Sequence, residues 1–423
     1  MAAVRIHRGW TEQLANDALA EFNSSTSVTA EGAVGFQDFT IQEDILLLAS
    51  AFSFDKRLTE QEFGSIFHDT LMRQRRKGAV VLSELLVSLS EQVQTSLAVK
   101  PQFFHMWTSF RLRSFFCEHN FSITVAKVRL KGRKFVPPSL TVKEYLLDGV
   151  RRVRPTVSGF PIILCSVLER NEQSAARQIF HAIDVFLAVS NIVLKQWNLF
   201  GKEYKPEASL WQGEYQFFFE KRKFLGDERL WFNLEYREDE WKDYPEFAAR
   251  FSEHLPLIRA TLTKLELHPL ANILTQVAKL INDGMASRNQ SYRLLRYWSA
   301  LEVLFSQPNE NRSESVISKA TYADKKGKEL TRKRLEYLSQ LRNRFVHEGQ
   351  ETNTSYYLIQ FLRDFVCRHL MFLIHHGEDY KSHREFLDMC RLPDDLSYLD
   401  KQEIALQRRK NVLAFGRHTG PVQ

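Results

Sequence analysis

The sequence contains few cysteines, and they are not arranged as in a disulfide framework or a zinc site. Only four occur in 423 residues, at Cys117, Cys165, Cys367 and Cys390, and no two have the CxxC spacing. So few cysteines in a chain of this length are typical of a reducing compartment. The first residues, MAAVRIHRGWTEQ, also lack the continuous apolar segment of a secretory signal. We therefore expect a cytoplasmic protein.

Long apolar segments and phosphate-binding loops are also missing. The longest apolar runs, IILC and HAIDVFLAVSNIVL, are too short or too interrupted to span a bilayer, so we expect no membrane association. The sequence has neither a P-loop nor a GxGxxG pattern, so it indicates no nucleotide site. The spacing of His375, His376, His383 and Cys390 matches no metal signature. We therefore expect neither a metal nor a cofactor.

The composition is that of a globular protein with a modest excess of positive charge. Apolar residues make up 44% of the chain and charged residues 26%, and the formal net charge is +7. This balance favours polyanionic partners without identifying one.

The first 240 residues mix helical and strand patterns. A helix is predicted in TEQEFGSIFHDTLMRQRR, with Thr59 as its N-cap. Apolar and polar residues alternate in SFRLRSFF and FSITVAKVRL, as they do in strands. FPIILCSVLE has the pattern of a buried strand. A long helix is predicted from Asn171 to Trp197. The segment EYQFFFEKRKFLGDERLWFNLEY predicts two strands joined by a Gly-Asp turn.

After the acidic junction REDEWKDYPEF, the clear patterns are helical. One helix begins near Pro269 and is predicted to stop at Gly284. LLRYWSALEVLF, TRKRLEYLSQLRNRFVH and YYLIQFLRDFVCRHLMFLIHH predict three more, and the tail after Cys390 predicts a weak helix at best. We therefore predict an α+β protein with a mixed α/β region at 1–240, a helical bundle at 241–390 and a polar basic tail at 391–423.

The segment QLRNRFVHEGQ closes one of these helices with an unusual pair of residues. Arg342 borders the face that Leu335, Leu338, Leu341 and Phe345 are predicted to bury. His347 lies five residues further on, which on an unbroken helix is about 140° of rotation. If the helix ends near Gly349, His347 either swings back towards Arg342 or faces a second subunit.

An arginine and a histidine with a neighbouring amide suit the cleavage of RNA without a metal. A histidine acts as a general base or acid near neutral pH, and an arginine stabilises negative charge on phosphate oxygens. Because the nucleophile is the 2′-hydroxyl, this reaction selects RNA over DNA. The alternative is that such spacing arises by chance and that His347 only complements the helix dipole.

RNRFVH resembles the R-x4-H signature of HEPN domains, including an asparagine directly after the arginine. The helical context is similar too, and YRLLRYWSALEVLFSQ resembles an early helix of the Apea-like HEPN group. The resemblance covers about a third of the chain, from Pro245 to Cys390. It implies a metal-independent endoribonuclease of a toxin, abortive-infection or antiviral defence system, which dimerises so that two motifs share one cleft.

Carried over to this sequence, the resemblance implies that Arg342 and His347 are the catalytic pair and that Asn343 supports them. Glu302 would add a polar contact at the site. The expected substrate is RNA, with structured loops such as tRNA anticodons as natural targets, and an antitoxin or trigger protein is the expected regulatory partner. Gly349 occupies the position of a modifiable tyrosine in one subgroup, so we do not expect that control.

The motif follows a strongly basic stretch of sequence. Its Lys and Arg side chains either contact the phosphates of an RNA backbone or only form a solvent-exposed helix face. The candidate RNA-binding residues are Lys325, Lys326, Lys328, Lys333, Arg334 and Arg344.

Two other functions are compatible with the same residues. The chain is then either a catalytically inactive HEPN-type module for RNA binding or dimerisation, or a helical scaffold in which the motif arose by chance.

Overall fold

The structure is a computed structural model of the α+β class. It describes residues 4–36, 41–112, 122–133, 162–194, 208, 210–221, 223–225, 231–232, 246–307, 313–323, 327–349, 356–392 and 395–418.

The first 98 residues form a unit with its own core. Two short antiparallel pairs, β1 with β4 and β2 with β3, accompany four helices. Phe63, Phe67, Leu85 and Leu89 are among the side chains buried at the centre of this unit. The elements are β1 (Val4–Ile6), α1 (Glu12–Ser25), β2 (Thr26–Val28), β3 (Val34–Phe36), α2 (Ile41–Ser50), β4 (Phe52–Phe54), α3 (Glu60–Lys77) and α4 (Leu82–Ala98).

Helix α3 begins as the sequence predicts. Thr59 is its N-cap and accepts a hydrogen bond from the amide of Glu62, while the Glu62 carboxylate accepts one from the amide of Thr59. This reciprocal capping box satisfies two amides that the helix leaves without partners. Acidic residues in the first turn and basic residues in the last complement the helix dipole.

An antiparallel sheet follows, with the strand order β10-β9-β5-β8-β7-β6, and β11 also pairs with β9. The buried strand predicted in FPIILCSVLE is confirmed as β8. FSITVAKVRL forms two strands, β6 and β7, joined by a turn at Ala126 and Lys127, and the second half of SFRLRSFF lies outside the described residues. The β9 hairpin turns at Lys221, and the predicted Gly-Asp turn at 226–227 lies outside the described residues. The strands are β5 (Gln102–Leu112), β6 (Ser122–Val125), β7 (Val128–Arg133), β8 (Ile162–Glu169), β9 (Leu210–Glu220), β10 (Lys223–Phe224) and β11 (Trp231–Phe232).

Helix α5 (Glu172–Val193) packs across one face of this sheet. By length and composition α5 is apolar enough to cross a membrane. This differs from the expectation that HAIDVFLAVSNIVL, which lies in this part of the chain, is too interrupted to span a bilayer. However, 67% of its most apolar 18-residue window is buried inside the protein. This burial between the sheet and the helices that follow identifies α5 as a core helix.

Helices make up the rest of the described chain, as predicted. Leu294, Trp298, Leu301 and Phe305 all face the interior, as their spacing predicts. The helices are α6 (Glu246–Leu267), α7 (Ala271–Ala286), α8 (Gln290–Phe305), α9 (Ser313–Ala320), α10 (Lys328–Glu348), α11 (Tyr356–His376), α12 (His383–Met389) and α13 (Leu396–His418), with a 3₁₀ turn at Thr321–Ala323.

Two sequence predictions in this region are wrong. Gly284 does not stop α7, which continues to Ala286. The glycine instead lies inside the helix, against Tyr297 of α8. A Cβ atom at Gly284 would lie 2.8 Å from Cδ1 and 2.9 Å from Cζ of the fully buried Tyr297. The tail after Cys390 forms α13, a helix of 23 residues, rather than a weak helix at best.

The sheet, α5 and the C-terminal helices share one continuous core. Asn191 of α5 donates to Asn282 of α7 at 2.7 Å and also clamps the backbone of Leu210 at the start of β9. Lys279 of α7 donates to Asp184 of α5 at 3.0 Å. The domain boundary predicted at 240–241 lies outside the described residues and remains a prediction.

Candidate functional site

The helix that carries the motif, α10, lies against α8 and α11. Leu335, Leu338 and Leu341 are buried, as their spacing predicts. The prediction is wrong for Phe345, which lies in the last turn of the helix and is only half-buried. The helix ends at Gly349, whose backbone is left-handed with a φ of 64° and whose amide donates to the carbonyl of Phe345 at 3.1 Å. Glycine adopts this conformation without steric cost, which makes it the usual residue after a helix end.

Arg342 points towards α8 and forms a polar cluster there. Its Nη2 lies 3.6 Å from Oε1 of Glu302, and its Nη1 donates to Oδ1 of Asn343 at 3.0 Å. The Arg342 side chain is 25% exposed and that of Glu302 is 31% exposed. The cation is thus held by a carboxylate and an amide at the edge of the core, within reach of solvent.

Trp298 fixes Glu302 from the other side. Its indole Nε1 donates to Oε1 of Glu302 at 2.7 Å, and the ring itself is fully buried. Sequence reasoning assigned Trp298 only to the core. The sequence does contain an indication of this contact. Trp298 and Glu302 are four residues apart, a spacing that makes two side chains neighbours on a helix.

His347 lies in the last turn of α10 and is exposed. The helix continues through Glu348, so the idea that His347 swings back towards Arg342 is wrong. Five helical residues separate the two side chains by about 7.5 Å along the axis and about 140° around it. Within one chain Arg342 therefore faces α8 while His347 faces solvent.

The candidate RNA-binding residues divide between two sides of α10. At 100° per residue, Lys333, Arg344 and His347 fall within about 60° of one another. All three are exposed, and Lys333 donates to Glu336 at 3.0 Å. The guanidinium of Arg334 instead lies over the ring of Phe361, 5.1 Å from its centre.

Lys328 is half-buried at the start of α10. Lys325 and Lys326 lie outside the described residues.

His375 at the end of α11, and His383 and Cys390 after it, are held by contacts with neighbouring helices or by burial. His375 lies 3.2 Å from the hydroxyl of Thr261, and Nε2 of His383 lies 2.8 Å from the carbonyl oxygen of Leu304. Burial raises the pKa of the Cys390 thiol to about 12, so it stays protonated at neutral pH. In the part of the chain that the structure describes, no three His, Cys, Asp or Glu side chains are grouped to hold a metal.

Comparisons with protein-family models, curated proteins and solved structures found no match.

Proposed function

We propose that this protein is a metal-independent endoribonuclease of a toxin or antiviral defence system, in which Arg342 and His347 act on the scissile phosphate. The observation that carries the proposal is Arg342 itself. Its guanidinium is held by Glu302 and Asn343 at the edge of the core, and an exposed histidine lies five residues away on the same helix.

The reaction forms a bond between the 2′-oxygen and phosphorus and breaks the bond from phosphorus to the 5′-oxygen. The products are a 2′,3′-cyclic phosphate and a 5′-hydroxyl. One group accepts the proton of the 2′-hydroxyl, and another donates a proton to the leaving oxygen. His347 supplies one of these functions, and Arg342 stabilises the charge that develops on the phosphate oxygens.

A second copy of the chain fits this chemistry better than a single chain does. Arg342 and His347 are turned away from each other on α10, so one phosphate is reached by both only if a symmetric partner presents its own motif. The N-terminal unit and the sheet would then sense a trigger, bind an antitoxin or restrain the nuclease. A cytoplasmic location agrees with this proposal.

The test is RNA cleavage in the presence of EDTA. Cleavage that leaves 2′,3′-cyclic phosphate ends supports the enzyme. Binding without cleavage supports the alternative, an inactive RNA-binding or dimerisation module. Neither binding nor cleavage supports a scaffold.

We expect the protein to be a homodimer through its C-terminal helices. The sequence suggested this because the apolar side chains of α8 and α11 looked too many for one bundle, but the structure buries most of them. The expectation now rests on the orientation of Arg342 and His347. Sedimentation at micromolar concentration should give twice the mass of the 49.5-kDa chain. A monomer both with and without RNA would contradict it.

The basic residues on the two sides of α10 give a prediction of their own. Lys333→Glu combined with Arg334→Glu should weaken RNA binding for all sequences, because phosphate contacts carry no sequence information. The log–log dependence of affinity on salt should fall by about 0.7 for each lost contact with single-stranded RNA. Cleavage at saturating RNA should persist, since Arg342 and His347 are unchanged.

The matched control is Arg76→Glu with Lys77→Glu at the end of α3. This pair changes the net charge equally on another part of the molecule. If both double variants shift affinity alike, or if neither changes the salt dependence, α10 is not part of the RNA path.

A further inference from the structure

The sheet has a second face that does not pack on α5. Because side chains alternate along a strand, residues paired across antiparallel strands share a face. The register places Phe103 opposite Leu168, and it aligns His105, Ser166 and Arg129 in one row across three strands. The outer sheet surface is defined here as Phe103, His105, Arg129, Lys131, Ser166 and Leu168.

Large apolar side chains are exposed on the outer sheet surface. Phe103 is 55% exposed and its cross-strand neighbour Leu168 is 53% exposed. On β9 the same face is covered, since Phe217 is only 1% exposed and stacks on Trp107 with ring centres 3.9 Å apart. The open part of the face therefore runs over β5, β8, β7 and β6, where Ser122 and Thr124 are also exposed.

Two rings on this surface are arranged for stacking. The rings of Phe103 and His105 are parallel within 5°, with centres 6.2 Å apart. Nδ1 of His105 lies 2.9 Å from the hydroxyl of Ser166, which fixes the imidazole orientation. Partial burial lowers the pKa of His105, which favours the neutral imidazole and an uncharged π face.

Positive charge lies beside these rings. Arg129 is exposed and donates from Nε to the hydroxyl of Ser122 at 3.1 Å, which leaves the outer edge of its guanidinium available. Lys131 follows two residues later on the same face. On the described strands β5 to β8, the register places no carboxylate on this face. β7 and β5 are two strand spacings apart, about 10 Å, so the cations lie beside the rings on the same face.

We propose that the outer sheet surface binds single-stranded RNA, with bases stacked on Phe103 and His105 and phosphates paired with Arg129 and Lys131. Exposed rings next to cations on an open sheet are the chemistry by which proteins hold unpaired bases and their backbone. The choice of RNA over DNA rests on the proposed nuclease function. The surface would deliver a strand to the enzyme without taking part in cleavage.

The test measures binding of fluorescently labelled oligouridine by full-length His347→Ala protein, so that bound RNA is not cut. Phe103→Leu keeps an apolar side chain and removes the ring, and it should weaken binding by about fivefold or more. Arg129→Ala with Lys131→Ala should lower the salt slope by about 0.7 for each contact. Because Phe103 is exposed, circular dichroism should show an unchanged fold.

The matched controls are Phe36→Leu, an exposed phenylalanine on β3 that is 48% exposed, and Arg76→Ala with Lys77→Ala on α3. Unchanged affinity in Phe103→Leu, or equal losses in the controls, would overturn the proposal. Oligothymidine bound as tightly as oligouridine would overturn the assignment to RNA. RNA cleavage by protein that retains His347 tests the nuclease site at Arg342 and His347 separately. The nuclease proposal and the RNA-binding proposal can therefore fail independently.

Discussion

Replacing His347 by alanine should lower the rate of RNA cleavage by about a hundredfold or more while the protein stays folded. The magnitude follows from the contribution of a positioned general acid or base. The fold should tolerate the change because His347 is exposed at a helix end, where the dipole interaction contributes only about 0.3–1 kcal/mol. Single-turnover cleavage in EDTA is the measurement, and thermal unfolding checks the fold.

Arg342→Ala should be at least as damaging to cleavage, because it removes the charge that stabilises the phosphate oxygens. Its ion pair with Glu302 is partly exposed, so its loss should cost about 1 kcal/mol or less in the free energy of unfolding. The controls are His376→Ala, another exposed histidine at the end of a long helix, and Arg384→Ala on α12. Near wild-type cleavage by either motif variant would remove the nuclease assignment from this motif.

Gly284→Ala should destabilise the protein by about 1–3 kcal/mol, the usual cost of overpacking a core. The new methyl group would overlap the ring of Tyr297, which is fully buried between helices and has no room to turn aside. In chemical denaturation, the part of the protein that contains α7 and α8 should unfold at a lower denaturant concentration than in the wild type.

Gly64→Ala is the matched control for this substitution. Gly64 is also inside a helix, α3, but nothing lies within 4 Å of the Cβ that alanine would add. Alanine should therefore stabilise the protein by about 0.5–1 kcal/mol through its better helix propensity. If both glycines respond in the same direction, close contact with Tyr297 is not the reason for Gly284.

The sequence allowed prediction of those features that local patterns determine. The N-cap at Thr59, the strand β8 and the buried stripe of α8 follow from capping chemistry and periodicity, and the structure contains them. Gly284 was misread because a glycine that admits a neighbouring ring looks, in sequence, like one that ends a helix.

The geometry of the candidate site depends on contacts between helices. That Arg342 meets Glu302, and that Trp298 fixes Glu302, follows from how α8 packs on α10, which one sequence does not reveal. The orientation of His347 depends on whether α10 ends before or after this residue. Because the helix reaches Glu348, the histidine points away from Arg342.

The contacts between α5 and α7 have a consequence for dissecting the protein. A fragment that begins near residue 241 would strip α5 and the sheet from α7 and expose Ala278, which lies one turn before Asn282 on the side of α7 that contacts α5 and is fully buried in the intact chain. Such an excised bundle should aggregate or behave as a molten globule. A truncation just after residue 98 removes a unit with a separate core, so the remainder should keep sharp cooperative melting and slow amide hydrogen exchange in α5 and α7.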